Sequence, residues 1–298
     1  MIALDDKRQM SSKSKSADKS DISKHWDKVY KKDILKVLKQ LPDNSIDMVY
    51  GDPDYNVGID YHGKKFTKEF SKFMEWYVNL TEECMRVLKE DGNLMMMNYP
   101  KPNSYLRVDY LDDASFSVHE YVWIYNTNIG QSKKYFTTAH RSILHATKSK
   151  NNKFYKENVA EEYLNPGPVR QKNMKKIKEQ NPNISDKEAE KIFSEKYKGR
   201  MPYSWINEPL VKNVSNEKTI HPCQIPQTVS RKMILSCTQP GDTVLVLFGG
   251  SGSELEVCKE NNRKYISAEL HKTYYDLIKK RLKIGKIPDE YRHHTRKN

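Results

Sequence analysis

No Cys-x-x-Cys pair occurs in this chain, and none of its four cysteines (Cys84, Cys223, Cys237, Cys258) has a histidine at zinc-finger spacing. That disfavours a zinc module and a disulfide framework; reduced thiols in a cytoplasmic protein with no metal are the expectation. Long apolar runs are missing as well, since no stretch approaches the ~20 residues of a membrane span. The opening MIALDDKRQM carries acids where an export signal needs a basic stretch followed by an apolar one. Residues 1–24 are Lys, Ser and Asp with almost no apolar content, and read as a disordered basic tail. Acidic charge is in deficit: 39 Asp and Glu face 52 Lys and Arg, a net charge of +13. Such an excess favours a polyanionic partner, nucleic acid before membrane, with a merely solvated surface as the alternative.

The 298 residues, 37% of them hydrophobic, suffice for one large domain or one domain with an inserted module. Ile34, Leu35, Leu38 and Leu41 fall at helical spacing over Asp33–Leu41. Ile46–Tyr50 reads as a buried strand ended by Gly51-Asp52-Pro53. Thr67–Glu90 reads as an amphipathic helix, with Phe70, Phe73, Met74, Tyr77, Cys84, Met85 and Leu88 on one stripe and Asp91-Gly92 as its terminator. Strands are expected over Asn93–Asn98, His119–Asn126 and Arg141–Ala146. After Lys148 the character changes. Residues 148–200 hold 14 Lys and Arg against 8 Asp and Glu, too polar for a core of their own, and Ser185-Asp186-Lys187-Glu188 opens a helix with a capping box. The α/β pattern resumes with a helix from Pro226, the apolar run Thr243–Phe248 (a strand buried on both faces), a helix over Ser253–Asn261, the strand Lys264–Ala268 and a last helix carrying Tyr274, Leu277, Ile278 and Leu282.

Two segments carry chemistry. In the first, a buried strand, the turn Gly249-Gly250-Ser251-Gly252, a helix, a strand and Glu269 make a nucleoside-cofactor unit. Glycines let backbone approach a ligand, the helix N-terminus suits an anionic group, and an acid after the second strand can accept ribose hydroxyls. Leu255 stands where a dinucleotide fingerprint needs its third glycine, and no Gly-Lys-Ser/Thr makes a P-loop; a plain tight turn is the bland alternative. The second segment, Asp52-Pro53-Asp54-Tyr55-Asn56, follows a buried strand, where α/β sheets place ligands. Methylation of an exocyclic amino nitrogen would explain it. That lone pair is delocalised into the ring. A carboxylate (Asp52) and a backbone carbonyl (Pro53) accepting both amino hydrogens favour a pyramidal nucleophile, while Tyr55 offers a ring on which an extruded base can stack. An ordinary strand-to-loop turn is the alternative for this segment taken alone.

With both segments in hand, the chain resembles the β-class S-adenosylmethionine-dependent amino DNA methyltransferases. DPDYNVGIDY is similar to DPPYN-x-GIDY, HPCQIP to HPTQKP, VLVLFGGSGSE to VLDPFxGSGTT, and NRKYISAEL to GRxYIGIEL. The matches cover about 25–150 and 218–284, and the order, catalytic loop first and cofactor loop last, is that of this class. The resemblance implies an α/β fold: a mainly parallel, seven-stranded Rossmann-like sheet with circularly permuted motif order and a basic helical insertion. It divides the chain into a disordered tail (1–24), a catalytic half (25–150), a target-recognition insertion (151–217) and a cofactor-binding half with a basic C-terminal tail (218–298). It implies S-adenosyl-L-methionine as cofactor, held by Phe248, Gly250, Gly252 and Glu269, with His221, Gln224 and Pro226 flanking its methionine end. Asp52 points to adenine N6 as the target, because serine is more typical of N4-cytosine enzymes. Departures from the pattern are Asp54 for the second proline, Val246-Leu247 for Asp-Pro, Glu254 for a threonine and Ile225 for a lysine.

The implied partner is double-stranded DNA, met at the nucleoid in a prokaryote. Arg170, Arg200, Tyr203 and Trp205 of the insertion are the candidates for phosphate, base-edge or stacking contacts, with a solvated helical insert as the alternative. The resemblance leaves room for a partner restriction endonuclease and for a homodimer. An N4-cytosine enzyme, a methyltransferase acting on RNA and an inactive DNA-binding homologue are the competing readings.

Overall fold

The computed structural model describes residues 21–56, 58–59, 68–126, 133–213 and 215–293. Of the tail expected over 1–24, residues 1–20 lie outside them, whereas Ile22–Lys24 are held in a 3-10 turn and are not part of a disordered tail. Thr67 at the expected helix start, Val57, Asp60 and Tyr61 of the catalytic-loop pattern and the last five residues of the basic C-terminus also lie outside them. After a 3-10 turn at Ile22–His25 come β1 (Lys28–Tyr30), α1 (Ile34–Leu38), β2 (Ile46–Gly51), α2 (Phe70–Val87), β3 (Leu88–Asn98), α3 (Pro100–Leu106), a π-turn at Arg107–Leu111, α4 (Asp112–Ala114), β4 (Ser117–Ile124) and β5 (His140–Thr147). Then follow α5 (Pro166–Gln180), α6 (Asp186–Lys196), β6 (Trp205–Asn207), α7 (Gln227–Cys237), β7 (Thr243–Val246), α8 (Ser253–Glu260), β8 (Lys264–Ala268) and α9 (Lys272–Ile284).

Among the described residues one sheet runs in the order β1-β8-β7-β2-β3-β5-β4-β6. Its pairs are parallel except β3–β5 and β5–β4. The strands are eight rather than the seven expected, because β6, inside the segment read as an insertion, joins the edge beside β4. Successive residues of a strand point to opposite faces, and the central strands are apolar on both. Val49, Leu94, Met96, Leu245 and Leu247 pack with α1 and α2. Met48, Tyr50, Met95, Met97, Val244 and Val246 pack with α7, α8 and α9. A fully buried Leu such as Leu80 is worth about 1.5–3 kcal/mol of transfer free energy. Among the described residues no helix is long and apolar enough to cross a membrane.

The helix expected to reach Glu90 stops at Val87, and Leu88 is already extended and wholly buried. Asp91 and Gly92 lie within β3, at an irregularity where Ile46 pairs with Leu88 but Met48 with Asn93. Gly92 is therefore not a helix cap. A Cβ there would sit 2.9 Å from the Asp47 carbonyl, so it serves a close backbone approach. Asp47 itself is a buried acid. Burial pushes its carboxyl up, but hydrogen bonds from Lys153 (2.6 Å), Lys89 (2.8 Å) and the Thr243 N–H (2.9 Å) prevail and hold it below its usual value. The chain leaving β5 is thus tied back to the sheet centre at Lys153.

Candidate active site

Because β1, β8, β7 and β2 are adjacent and parallel, their carboxyl ends open on one edge of the sheet. Ligands bind at such an edge. A cavity of about 360 Å³ lies there, lined by Asp33 after β1, by Asp52, Pro53 and Tyr55 after β2, by Phe248 and Gly250 after β7, and by Glu269 after β8. His221 and Gln224, from the segment leading into α7, complete the wall. Segments almost two hundred residues apart in sequence therefore face one space. Gly252 and Pro226 stand behind it. Gly252, in the left-handed region at φ +78°, caps α8, and a Cβ on it would come within 3.3 Å of Ile278. Pro226 caps α7.

The Gly-rich turn is braced by the acid beyond β8. Glu269 accepts the Gly250 N–H through Oε2 (3.0 Å) and the His271 N–H through Oε1 (2.7 Å). A carboxylate has about four lone-pair sites, so each oxygen can accept one further hydroxyl. Burial raises its pKa, against the pull of those N–H groups. Phe73, Trp76 and Phe248 supply aromatic surface, Phe248 and Trp76 with centroids 6.3 Å apart. The His221 ring meets Tyr274 edge-on at 4.6 Å. Gln224 is a loop pin: its Oε1 accepts the Thr219 N–H and hydroxyl, both at 3.0 Å, and its Nε2 donates to the Glu217 carbonyl at 2.7 Å. Aromatic rings, a paired-acceptor carboxylate and a glycine turn opening a helix fit a nucleoside joined to an amino acid, as in S-adenosyl-L-methionine. The Cβ that Gly250 lacks would stand 3.5 Å from the His221 ring, inside this cradle.

On the opposite wall the Tyr55 hydroxyl donates to Asp52 Oδ1. Burial pushes the Asp52 carboxyl up to about 7; the Tyr55 hydrogen bond opposes the rise, Glu254 adds to it, and the Arg141 cation opposes it. Arg141 lies 3.8 Å from the Tyr99 ring centroid, 5.0 Å from Tyr55 and 5.2 Å from Tyr125, and donates to the Tyr125 hydroxyl. Sequence reasoning placed Arg141 in a strand and missed it as a neighbour of the site; a lone arginine opening an apolar strand was the available signal. Asp54, a departure from the family pattern, has a structural use: its Oδ1 accepts the Asn56 N–H at 2.8 Å, making an Asx turn. Asn56, at φ +58°, then clamps the backbone of Lys68 ahead of α2 through both its side-chain oxygen (2.6 Å) and its amide (2.8 Å). Val246 and Leu247, two further departures, fill the cores on the two faces of the sheet.

A profile of the N6/N4 methyltransferase family, described as DNA methylase, matches residues 46–280. The chain belongs to this family. Its methyl donor is S-adenosyl-L-methionine, and the protein is a DNA methyltransferase acting on amino nitrogens. It is 31% identical to the type II methyltransferase M.BglII of Bacillus subtilis, over 85% of this chain and 68% of that protein. It is 26% identical to the DNA adenine methyltransferase YhdJ of Escherichia coli (strain K12), over 85% and 81% respectively. Among solved structures, PvuII DNA methyltransferase (cytosine-N4-specific) shares the fold with a TM-score of 0.59 at 17% identity, over 83% of this chain and 82% of that one.

The four insertion candidates lie outside the walls of the cavity. Tyr203 and Trp205 stack at 5.6 Å and 15°, each about half exposed, and the Arg200 guanidinium sits 4.3 Å from the Tyr203 centroid. Arg200 is steadied by Glu161 at 2.7 Å. Arg170 is in another setting, an exposed ion pair with Glu190 (2.6 Å) that joins α5 to α6. The structure thus brings Arg200, Tyr203 and Trp205 together and leaves Arg170 in a structural pair.

Proposed function

We propose that this methyltransferase modifies N6 of adenine in double-stranded DNA, acting on a base extruded from the duplex. The observation that carries the reading is the Asp52 carboxylate, oriented by Tyr55 and facing the same cavity as the glycine turn and Glu269. With one Asp52 oxygen engaged by Tyr55, the other is free to accept one amino hydrogen, and the Pro53 carbonyl accepts the second. Holding both hydrogens localises the nitrogen lone pair and aims it across the cavity. The cofactor, when bound, supplies an activated methyl group on a cationic sulfur. Methylation leaves a cationic nitrogen that still bears both hydrogens, now acidic, and Asp52 takes one of them and passes it to water. Tyr55 and Tyr99, held edge to face at 5.3 Å, give the base an aromatic wall. Glu269 holds the ribose hydroxyls and Phe248 the adenine ring of the donor, with Gly250, Gly252, His221, Gln224 and Pro226 shaping the turn and loop around its methionine end.

Residues 151–217 are read as the target-recognition segment, with the exposed Arg200–Tyr203–Trp205 stack as its contact to DNA and Arg170 as a phosphate contact at the margin. Likeness to a type II methyltransferase supports a protective role beside a partner endonuclease. The decisive experiment is mass spectrometry of nucleosides from duplex DNA incubated with protein and S-adenosyl-L-methionine. N6-methyladenine is expected; N4-methylcytosine alone refutes the adenine reading, and preferential methylation of RNA in a competition refutes the DNA reading.

A further inference from the structure

The cavity contains an acid that the mechanism does not use. Glu254, the second residue of α8, is 7% exposed and lines the wall, with its Oε2 accepting the Ser253 hydroxyl at 2.9 Å. No Lys or Arg pairs with it among the described residues. The nearby guanidinium of Arg281 is taken by Glu256 Oε2, at 3.0 Å from Nε and 2.5 Å from Nη2, and by the Ser251 carbonyl at 3.1 Å. Beside it the Tyr50 hydroxyl, on a residue 2% exposed, also lines the cavity and has no hydrogen-bond partner among the described residues. Glu254 and Asp52 both act electrostatically on that phenol. Buried acids and buried hydroxyls are costly unless matched, so this end of the cavity is built for an occupant that satisfies them.

Two departures from the family pattern meet here. The acid of that pattern on β7 is replaced by Val246, and an acid is gained at Glu254 where the pattern has threonine. Val246 is the register partner of Tyr50 and shares its packed face. Loss and gain therefore fall around one phenol, as a negative charge moved from strand to helix. We propose that Glu254 and Tyr50 form the seat for a cationic group of the methyl donor, Glu254 as charge partner and the Tyr50 oxygen as a second acceptor. The inference rests on the assignment of S-adenosyl-L-methionine to this cavity. That molecule carries two cations, the α-ammonium and the sulfonium, and the seat fits either chemistry.

Titration calorimetry separates them. S-adenosylmethionine carries both cations, S-adenosylhomocysteine the ammonium alone, and 5′-methylthioadenosine neither. For Glu254→Gln, the affinity for the first two should fall about tenfold or more, as expected for a lost charge-assisted hydrogen bond, with 5′-methylthioadenosine changed less than about twofold. Tyr50→Phe should show the same pattern, smaller. A loss confined to S-adenosylmethionine also supports the seat and assigns it to the sulfonium. An equal loss for all three ligands, or a loss for none, overturns it. Should Glu254→Gln fail to fold by thermal melting, Glu254→Thr and Tyr50→Phe carry the same test. A wild-type protein that binds none of the three refutes the cofactor assignment itself, which is a different outcome from unaltered discrimination in a variant.

Discussion

The strand-edge cavity and the helical segment between β5 and β6 use the same side chains under opposite conditions. In the cavity, Asp52, Glu254 and Glu269 are enclosed, and burial raises all three carboxyls. In α5 and α6 only Ile177 and Ala189 are buried, and the charges pair in the open, as in Arg170–Glu190 and Lys178–Asp186, both at 2.6 Å. There the hydrogen bond from Lys178 lowers the Asp186 carboxyl. A charge kept from water has its proton affinity set by its neighbours and can do chemistry. A charge in water contributes little stability and stays available to another polyanion. The comparison teaches that burial rather than composition separates the enclosed carboxyls of the cavity from the openly paired charges of the helical segment, which is the proposed recognition surface.

The sharpest way to break that contrast is Asp52→Ala. Turnover should fall by about a thousandfold or more, while calorimetric binding of S-adenosylmethionine and the melting temperature stay near wild type. Retained methyl transfer to DNA would refute its assigned role. Next in size is pH. In the proposed mechanism Asp52 accepts the amino hydrogens in its ionised form, and its pKa is raised to about 7. Below that value kcat/KM should drop about tenfold per unit as the protonated form takes over. Arg141→Gln removes a cation that opposes the rise, so the acid limb of the profile should move to higher pH. A limb that stays in place would separate Arg141 from the carboxylate. The smallest effect belongs to the exposed stack. Trp205→Ala should weaken duplex binding about tenfold in fluorescence anisotropy, and Arg200→Ala should reduce the salt slope by about one. Neither should change cofactor affinity. An equal loss of cofactor binding would place this stack in the core machinery and dissolve the distinction between the two regions.

Most of the fold was legible because its signals are local. The run TVLVLF reads as a strand buried on both faces, and β7 occupies Thr243–Val246 of it. Ser185 and Glu188 read as a capping box and form one, with the Ser185 N–H 3.1 Å from the Glu188 carboxylate and the Glu188 N–H 3.3 Å from the Ser185 hydroxyl. The glycine turn and the Asp52 loop were recognisable from residue types whose chemistry needs few neighbours. What escaped was non-local. Trp205-Ile206-Asn207 is too short to announce a strand, and β6 exists because β4 offers it an edge. Gly92 looked like a helix stop until Asp47 occupied the space its Cβ would need. Arg141 is the strand residue it was read as, in β5, but its place among Tyr55, Tyr99 and Tyr125 depends on residues distant in sequence.

From the amino-acid order alone came the kinds of element, the two reactive segments, and the class of cofactor and reaction they imply. Periodicity and turn chemistry act within a few residues and need no partner. Only the tertiary structure decided that Asp52, Gly250 and Glu269 face one cavity, that Glu254 and Tyr50 line it with no Lys or Arg paired to Glu254 among the described residues, and that Arg141 stands near the carboxylate. Those meetings depend on four parallel strands aligning their carboxyl ends and on β5 running antiparallel beside β3, which brings Arg141 to the same end. That alignment follows from long-range pairing and burial, to which no single stretch of sequence has access.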